Sequence, residues 1–157
     1  MSDHDSIRAL DEPQCMSATV LLPAIRPSAW VRRVASVLVE MEADTDASTV
    51  VLSVFDPEQT DERSTVDLDD LAREQSAVRA AKSELADADL DHIVRGVPAP
   101  TDTAHAVETA VDQFGVDRIY MYGRRRSPAG KAVFGSTLQH VVTAAGVPVV
   151  VVPASMP

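Results

Sequence analysis

Along this chain, short continuous apolar runs alternate with stretches of helical spacing. Residues 18–24 (ATVLLPA) form the first run, short and partly β-branched, and predict a buried strand. Ser28 stands where a helix cap is favoured, and Val31, Val34, Leu38 and Met41 then recur on one stripe of a helix reaching about Met41. Residues 49–55 (TVVLSVF) predict a second strand, and the acidic, proline-containing stretch 56–64 a loop. Leu71, Val78 and Leu85, a heptad apart, predict a helix over about 67–86. A weaker strand follows over 90–95, ended by Gly96 and two prolines.

The last third repeats the alternation more cleanly. Thr101 opens a helix with Ala104, Val107, Val111 and Phe114 inward, and Gly115 is its C-terminal stop. Residues 118–122 (RIYMY) predict a strand and 123–131 a polar loop. A final helix carries Phe134, Leu138, Val141, Val142 and Ala145 and ends at Gly146, and residues 147–152 (VPVVVV) predict the closing strand. Five apolar strands separated by amphipathic helices imply an α/β fold: a doubly wound, mostly parallel five-stranded sheet with helices on both faces. Residues 1–17 carry no periodicity and read as a flexible tail, 18–153 as a single domain, and 154–157 as a C-terminal tail. Ligands on such sheets sit beyond the carboxyl ends of the strands, which directs attention to the segments after Ala24, Phe55 and Tyr122.

Composition changes the picture in three respects. Only one Trp, two Tyr and three Phe are present, so the core must be aliphatic. The formal net charge is −10, with 16 of the 24 acids being Asp and only Lys82 and Lys131 as lysines. That balance argues against a nucleic-acid partner and fits an acidic, halophile-like surface that stays soluble where salt screens self-repulsion. No apolar run approaches the roughly 20 residues that span a bilayer, and the acidic start is no secretory signal. The expected protein is therefore cytoplasmic and free of membrane contact. A lone Cys15 excludes an internal disulfide or a cysteine-rich metal site.

Four of the 14 cations fall within residues 123–131, in Gly123-Arg124-Arg125-Arg126-Ser127-Pro128-Ala129-Gly130-Lys131. Gly135, Ser136 and Thr137 follow at the expected start of the last helix. Free amides at a helix start, glycines that admit close backbone approach, hydroxyls and forked guanidinium groups together suit a phosphate. The bland reading is a solvated loop with a helix cap at Ser136 or Thr137. It is not a Walker A loop, because Arg125 stands where the leading glycine belongs and Ala132 where Ser or Thr belongs.

The stretch Ile119-Tyr120-Met121-Tyr122-Gly123, the pair Gly135-Ser136 and the closing Gly146-Val147-Pro148-Val149-Val150-Val151-Val152 resemble the C-terminal half of universal stress proteins. Val20-Leu21-Leu22-Pro23 is similar to that family's first strand, so the resemblance spans roughly residues 18–153. It implies a dimeric stress-response binding module. In the family's ATP-binding branch the matching loop and Gly-Ser pair hold ribose and phosphates, which makes Gly123, Gly130, Gly135, Ser136 and Thr137 the implied contacts. Arg124, Arg125, Arg126, Ser127 and Lys131 join them as cations and donors of the same segment. ATP or another adenine nucleotide is the implied ligand, and the last strand, 147–152, the implied homodimer contact. Edge burial of four consecutive valines independently favours such pairing. Three departures keep a second reading open, that of an interaction protein which retains the fold without the ligand site. Ile25 aligns with the family's aspartate at the end of the first strand, Arg126 with its second glycine, and the span from Gly123 to Gly135 is one residue short.

No catalytic residue is assigned, since no general base or metal carboxylate is apparent near the loop; an ATPase would be weak at most. His92, His105 and His140 show no metal-ligand spacing with Asp, Glu or Cys. Asp69-Asp70 and Asp87-Ala88-Asp89 read as solvated helix ends, and Trp30 as partly buried core or interface, not a stacking platform.

Overall fold

The five apolar runs become five parallel strands. The computed structural model describes residues 17–56, 67–99, 102–124 and 135–154. Among them run strands β1 (Thr19–Pro23), β2 (Ser48–Phe55), β3 (His92–Pro98), β4 (Arg118–Arg124) and β5 (Val149–Ala154). The helices are α1 (Ser28–Glu42), α2 (Leu68–Glu74), α3 (Ser76–Asp87), α4 (Thr103–Phe114) and α5 (Ser136–Ala144). The sheet order is β3-β2-β1-β4-β5, and every pairing is parallel. Apart from Ser17, the expected N-terminal tail lies outside the described residues, as do 155–157.

Alternation along the strands divides the core in two. Val20, Leu22, Tyr120 and Tyr122 face one layer, where Val31, Val34 and Leu38 of α1 and Val78, Ala81 and Leu85 of α3 close over them. Leu21, Ile119 and Met121 face the other layer, against Val107 and Val111 of α4 and Leu138 and Val141 of α5. Each fully buried Val or Leu contributes roughly 1.5–3 kcal/mol relative to exposure, so an aliphatic core of this kind suffices without aromatic mass.

Several local expectations change. Ser28 is the first helical residue and not the cap: Pro27 holds that position, and its carbonyl accepts from Trp30 and Val31. The Ser28 hydroxyl instead donates to Ser76 Oγ at 2.9 Å. Met41 is exposed, because the inward slot one turn after Leu38 falls on Glu42. The single helix expected over 67–86 breaks at Gln75, whose extended backbone separates α2 from α3. Asp67 caps α2 by accepting from the Asp69 amide at 2.8 Å. Asp102 caps α4, accepting from the His105 amide at 2.7 Å, and Thr101, expected to open the helix, lies outside the described residues. Gly115 closes α4 at φ 63, the left-handed conformation that only glycine adopts without strain. Val142 points outward from α5, and Phe134 lies outside the described residues. Strands β3 and β5 begin two residues later than expected and run through Pro98 and Ala154.

Candidate functional site

Strand order reverses between β1 and β4, which are adjacent in the sheet. The chain leaves β1 toward α1 on one face and re-enters from beyond β4 into α5 on the other. Two neighbouring strands whose connections part to opposite faces open a crevice at their carboxyl ends. Residues 24–27, Gly123, and the start of α5 border it.

Gly135 caps α5 with φ −65 and ψ 162 and has no side chain to offer its amides. Its carbonyl accepts from Gln139 at 3.1 Å, which leaves the amides of Ser136, Thr137 and Leu138 without an intrahelical acceptor. Ser136 and Thr137 thus lie inside the first turn, and the capping role considered for them is taken by Gly135. No acidic residue stands in that turn, so the positive end of the helix dipole is uncompensated there. Gly123 is buried inside β4 opposite Pro153, and Arg124 extends the strand opposite Ala154. A loop was expected to start at Gly123, but β4 runs through Gly123 and Arg124, because β5 extends far enough to supply ladder partners. Arg125, Arg126, Ser127, Gly130 and Lys131 lie outside the described residues.

One feature of the crevice was not singled out from sequence, and a second, at Trp30, was expected only as partly buried core or interface. Arg26, three residues past the end of β1, is exposed, and its Nη2 lies 3.5 Å from where a Cβ on Gly135 would stand. The guanidinium therefore crosses from the β1–α1 connection to the cap of α5. It makes no ion pair with a carboxylate among the described residues. Position alone could have flagged it, as the first cation beyond the first strand. The second feature is Trp30, stacked flat on Tyr122 with ring centroids 4.5 Å apart and planes at 8°. Trp30 is half-buried as expected, and its platform is Tyr122, one residue before Gly123. Tyr122 is 6% exposed, and its hydroxyl has no hydrogen-bond partner among the described residues. Ile25 is half-buried and packs toward the α4/α5 layer, so the first strand's end offers no carboxylate at that position.

Among the described residues the strongest electrostatic cluster lies at the other end of the sheet. Glu42, 2% exposed, accepts from Arg118 Nε at 2.7 Å and Nη2 at 2.5 Å, from Tyr120 at 2.5 Å and from Thr45 at 2.7 Å. The Arg118 bonds, ahead of the opposing effect of burial, lower the Glu42 carboxyl to about 2. Burial and the Glu42 charge push the Tyr120 phenol up to about 12. This cluster ties the last turn of α1 to the start of β4. Asp69 is not a solvated helix end: its carboxylate accepts from the Gly96 amide at 2.8 Å and faces Arg95 at 3.6 Å. Asp70, beside it, is exposed and pairs with Arg73. His140 Nε2 lies 2.8 Å from Glu108 Oε2, linking α5 to α4. Among the described residues no three His, Cys, Asp or Glu side chains converge as a metal site would require. No described helix is long and apolar enough to cross a membrane.

A parallel five-stranded sheet with a glycine-capped helix start at its switch point defines a doubly wound α/β domain. The chain matches the universal stress protein family over residues 20–153 and belongs to that family. Among solved structures it is similar to the universal stress protein from Archaeoglobus fulgidus in complex with dAMP, at 15% identity and TM-score 0.63, covering 86% of this chain and 96% of that one. A universal stress protein in complex with cAMP matches at 18% identity and TM-score 0.60, covering 88% and 98%. A universal stress protein family protein from Arabidopsis thaliana with AMP bound matches at 14% identity and TM-score 0.60, covering 88% and 92%. These likenesses establish the fold. A search of curated proteins returns no match.

Proposed function

We propose that this chain is a dimeric stress-response module that binds an adenine nucleotide or a related phosphorylated ligand in the crevice between β1 and β4. The observation that carries the reading is the start of α5: three amides without intrahelical acceptors, no side-chain cap and a guanidinium beside the cap glycine. Phosphate oxygens would be held by the Ser136 and Thr137 amides and hydroxyls beside Gly135, with Gly123 as the floor. Arg124, Arg125, Arg126, Ser127, Gly130 and Lys131 would enclose them from the connecting segment. Structures of related fold that carry dAMP, cAMP and AMP support a nucleotide over other phosphates. No residue is given a catalytic role. Mass spectrometry of small molecules released from the natively purified protein is expected to find an adenine nucleotide or another phosphorylated compound at near-stoichiometric level. A crevice that releases nothing, and that takes up no added nucleotide, would sink the reading. One observation favours the ligand-free alternative: Ile25 turns the end of β1 into an apolar wall.

The homodimer would form along β5. This strand pairs only with β4 among the described residues, so its outer edge is open. Beside it lies an open groove of about 750 Å³ lined by Leu138, Val142, Thr143 and Val151, with Val142 half exposed. A second copy related by two-fold symmetry would cover both edge and groove. Light scattering at micromolar concentration should give twice the 16.8 kDa chain mass, and Val142→Glu should give the monomer with unchanged circular dichroism. A wild-type monomer at that concentration removes the dimer from the proposal.

A further inference from the structure

We infer that the side chains of Asp69 and Arg95 guard the outer edge of β3, so that strand addition by another copy of this chain is closed at β3 and left open at β5. The β5 half rests on the dimer reading above; the β3 half stands on separate observations. Among the described residues β3 pairs only with β2 and is the far edge of the sheet. The Asp91 carbonyl accepts from the Thr49 amide, and the Ala99 amide donates to the Phe55 carbonyl, both across to β2. Alternate residues of a strand turn their backbone groups to opposite sides. Residues 91, 93, 95, 97 and 99 therefore face β2, and His92, Val94, Gly96 and Pro98 present theirs to the outside.

Three of those four positions are already closed to a partner in part. The Gly96 amide donates to Asp69 Oδ1 at 2.8 Å. The Val94 carbonyl accepts from Arg95 Nη1 at 3.0 Å. Pro98 has no amide hydrogen to give. Arg95 Nη1 also lies 3.6 Å from Asp69 Oδ2, which joins the two side chains into one strap along the edge. The strap is anchored in the first turn of α2, whose Leu68 carbonyl sits close against Gly96. A second strand laid along β3 must displace both charged side chains before it gains a ladder bond. β5 (VVVVPA) differs: it carries no charged residue and borders the apolar groove at Val142 and Val151. Two-fold pairing at β5 would place the two β3 strands at the outer ends of one continuous sheet, five strands from each copy. Open ends there would link dimer to dimer without limit, whereas guarded ends stop the assembly at two copies.

Asp69→Ala/Arg95→Thr in the full-length chain removes the strap and leaves the net charge at −10, so overall repulsion is unchanged. Threonine suits a strand. Asp70→Ala/Arg73→Thr, which deletes the neighbouring exposed ion pair of α2 at the same net charge, is the control. In light scattering over a micromolar dilution series, the edge variant is expected to grow with concentration to at least about twice the wild-type mass, and the control to keep that mass. Hydrogen exchange should show new protection at the His92 and Val94 amides, the outward donors that strand pairing engages. Arg95→Thr alone keeps the Asp69–Gly96 bond that docks α2 and should protect the same two amides at higher concentration, which separates edge pairing from damage to the fold. Wild-type mass in both edge variants, or growth without protection at His92 and Val94, would overturn the inference. A wild-type monomer removes the dimer reading alone: the guard then requires the edge variant to double to two copies, and it is wrong if that variant stays single.

Discussion

Glu42→Gln is expected to lower the stability of the fold by roughly 3 kcal/mol at neutral pH, the low end of what breaking a buried ion pair costs. The reason is the position of the carboxylate. It sits in the last turn of α1, where the helix dipole disfavours negative charge, and it is almost wholly removed from water. Four hydrogen bonds from Arg118, Tyr120 and Thr45 offset both costs. An amide keeps the shape but loses the charge, and its NH2 group faces donors where an acceptor is needed. Arg118 is still partly reached by solvent and can rehydrate, which keeps the loss from the upper end of the range.

The same cluster fixes a pH dependence. The folded Glu42 carboxyl titrates near 2 against an ordinary value of 4.5. Its contribution is therefore fully present above about pH 4.5 and is lost as the pH falls through about 2. The difference corresponds to a contribution on the order of 3 kcal/mol. Urea midpoints of wild type and Glu42→Gln should thus lie far apart at pH 7 and converge between pH 4.5 and 2. A gap that stays constant over that window, or a variant as stable as wild type at pH 7, contradicts this account of the cluster.

Gly96→Ala should be nearly as damaging, at about 3 kcal/mol, the upper end of ordinary overpacking. A Cβ at Gly96 would stand 2.2 Å from the Leu68 carbonyl oxygen and 2.7 Å from its carbon. Both are backbone atoms at the start of α2, so no side chain can rotate away. The glycine is needed here for close approach and not for an unusual backbone angle. Its amide donates to Asp69 Oδ1, so the same contact docks the first turn of α2 onto β3. Displacing α2 would break that bond and expose Ala72, which is buried beneath the helix. Denaturant unfolding of the variant reads the loss, and hydrogen exchange should show it concentrated in residues 68–74. An unchanged midpoint would mean that α2 moves aside at no cost.

The parallel sheet was legible because strands buried on both faces read as unbroken apolar runs, and Val50, Val51 and Leu52 are as buried as that pattern requires. Strand ends were less so, since pairing and not local propensity sets them. Val54 against Val97 and Phe55 against Pro98 carry β3 past the glycine that seemed to stop it, and Gly123 against Pro153 does the same for β4 and β5. Both prolines lie on edge strands, where the missing amide costs no ladder bond on the inner side. Periodicity placed α1 but put its last inward position one residue early, at Met41, because a charged residue in an apolar slot looks like surface until its partners are known. Those partners, Arg118 and Tyr120, lie more than 70 residues away. The break at Gln75 left no mark in the apolar pattern, since Leu71 and Val78 keep their spacing across it. In the crevice, Gly135 and Ser136 were readable as a helix start after a glycine, whereas Arg26 acquires meaning only once β1 and β4 are neighbours. Sheet order is a property of the whole chain, and no local window contains it.

Backbone amide NMR of the 15N-labelled full chain during addition of ATP puts the proposed crevice to the most direct test. Saturable shifts are expected at Gly123, Ser136, Thr137 and Leu138, together with the side-chain Nε–H of Arg26, while the Glu42 end of the sheet stays unmoved. Saturating ATP that leaves those signals in place, or shifts only residues at the opposite end of the strands, would show that the positive rim at the start of α5 does not receive the ligand.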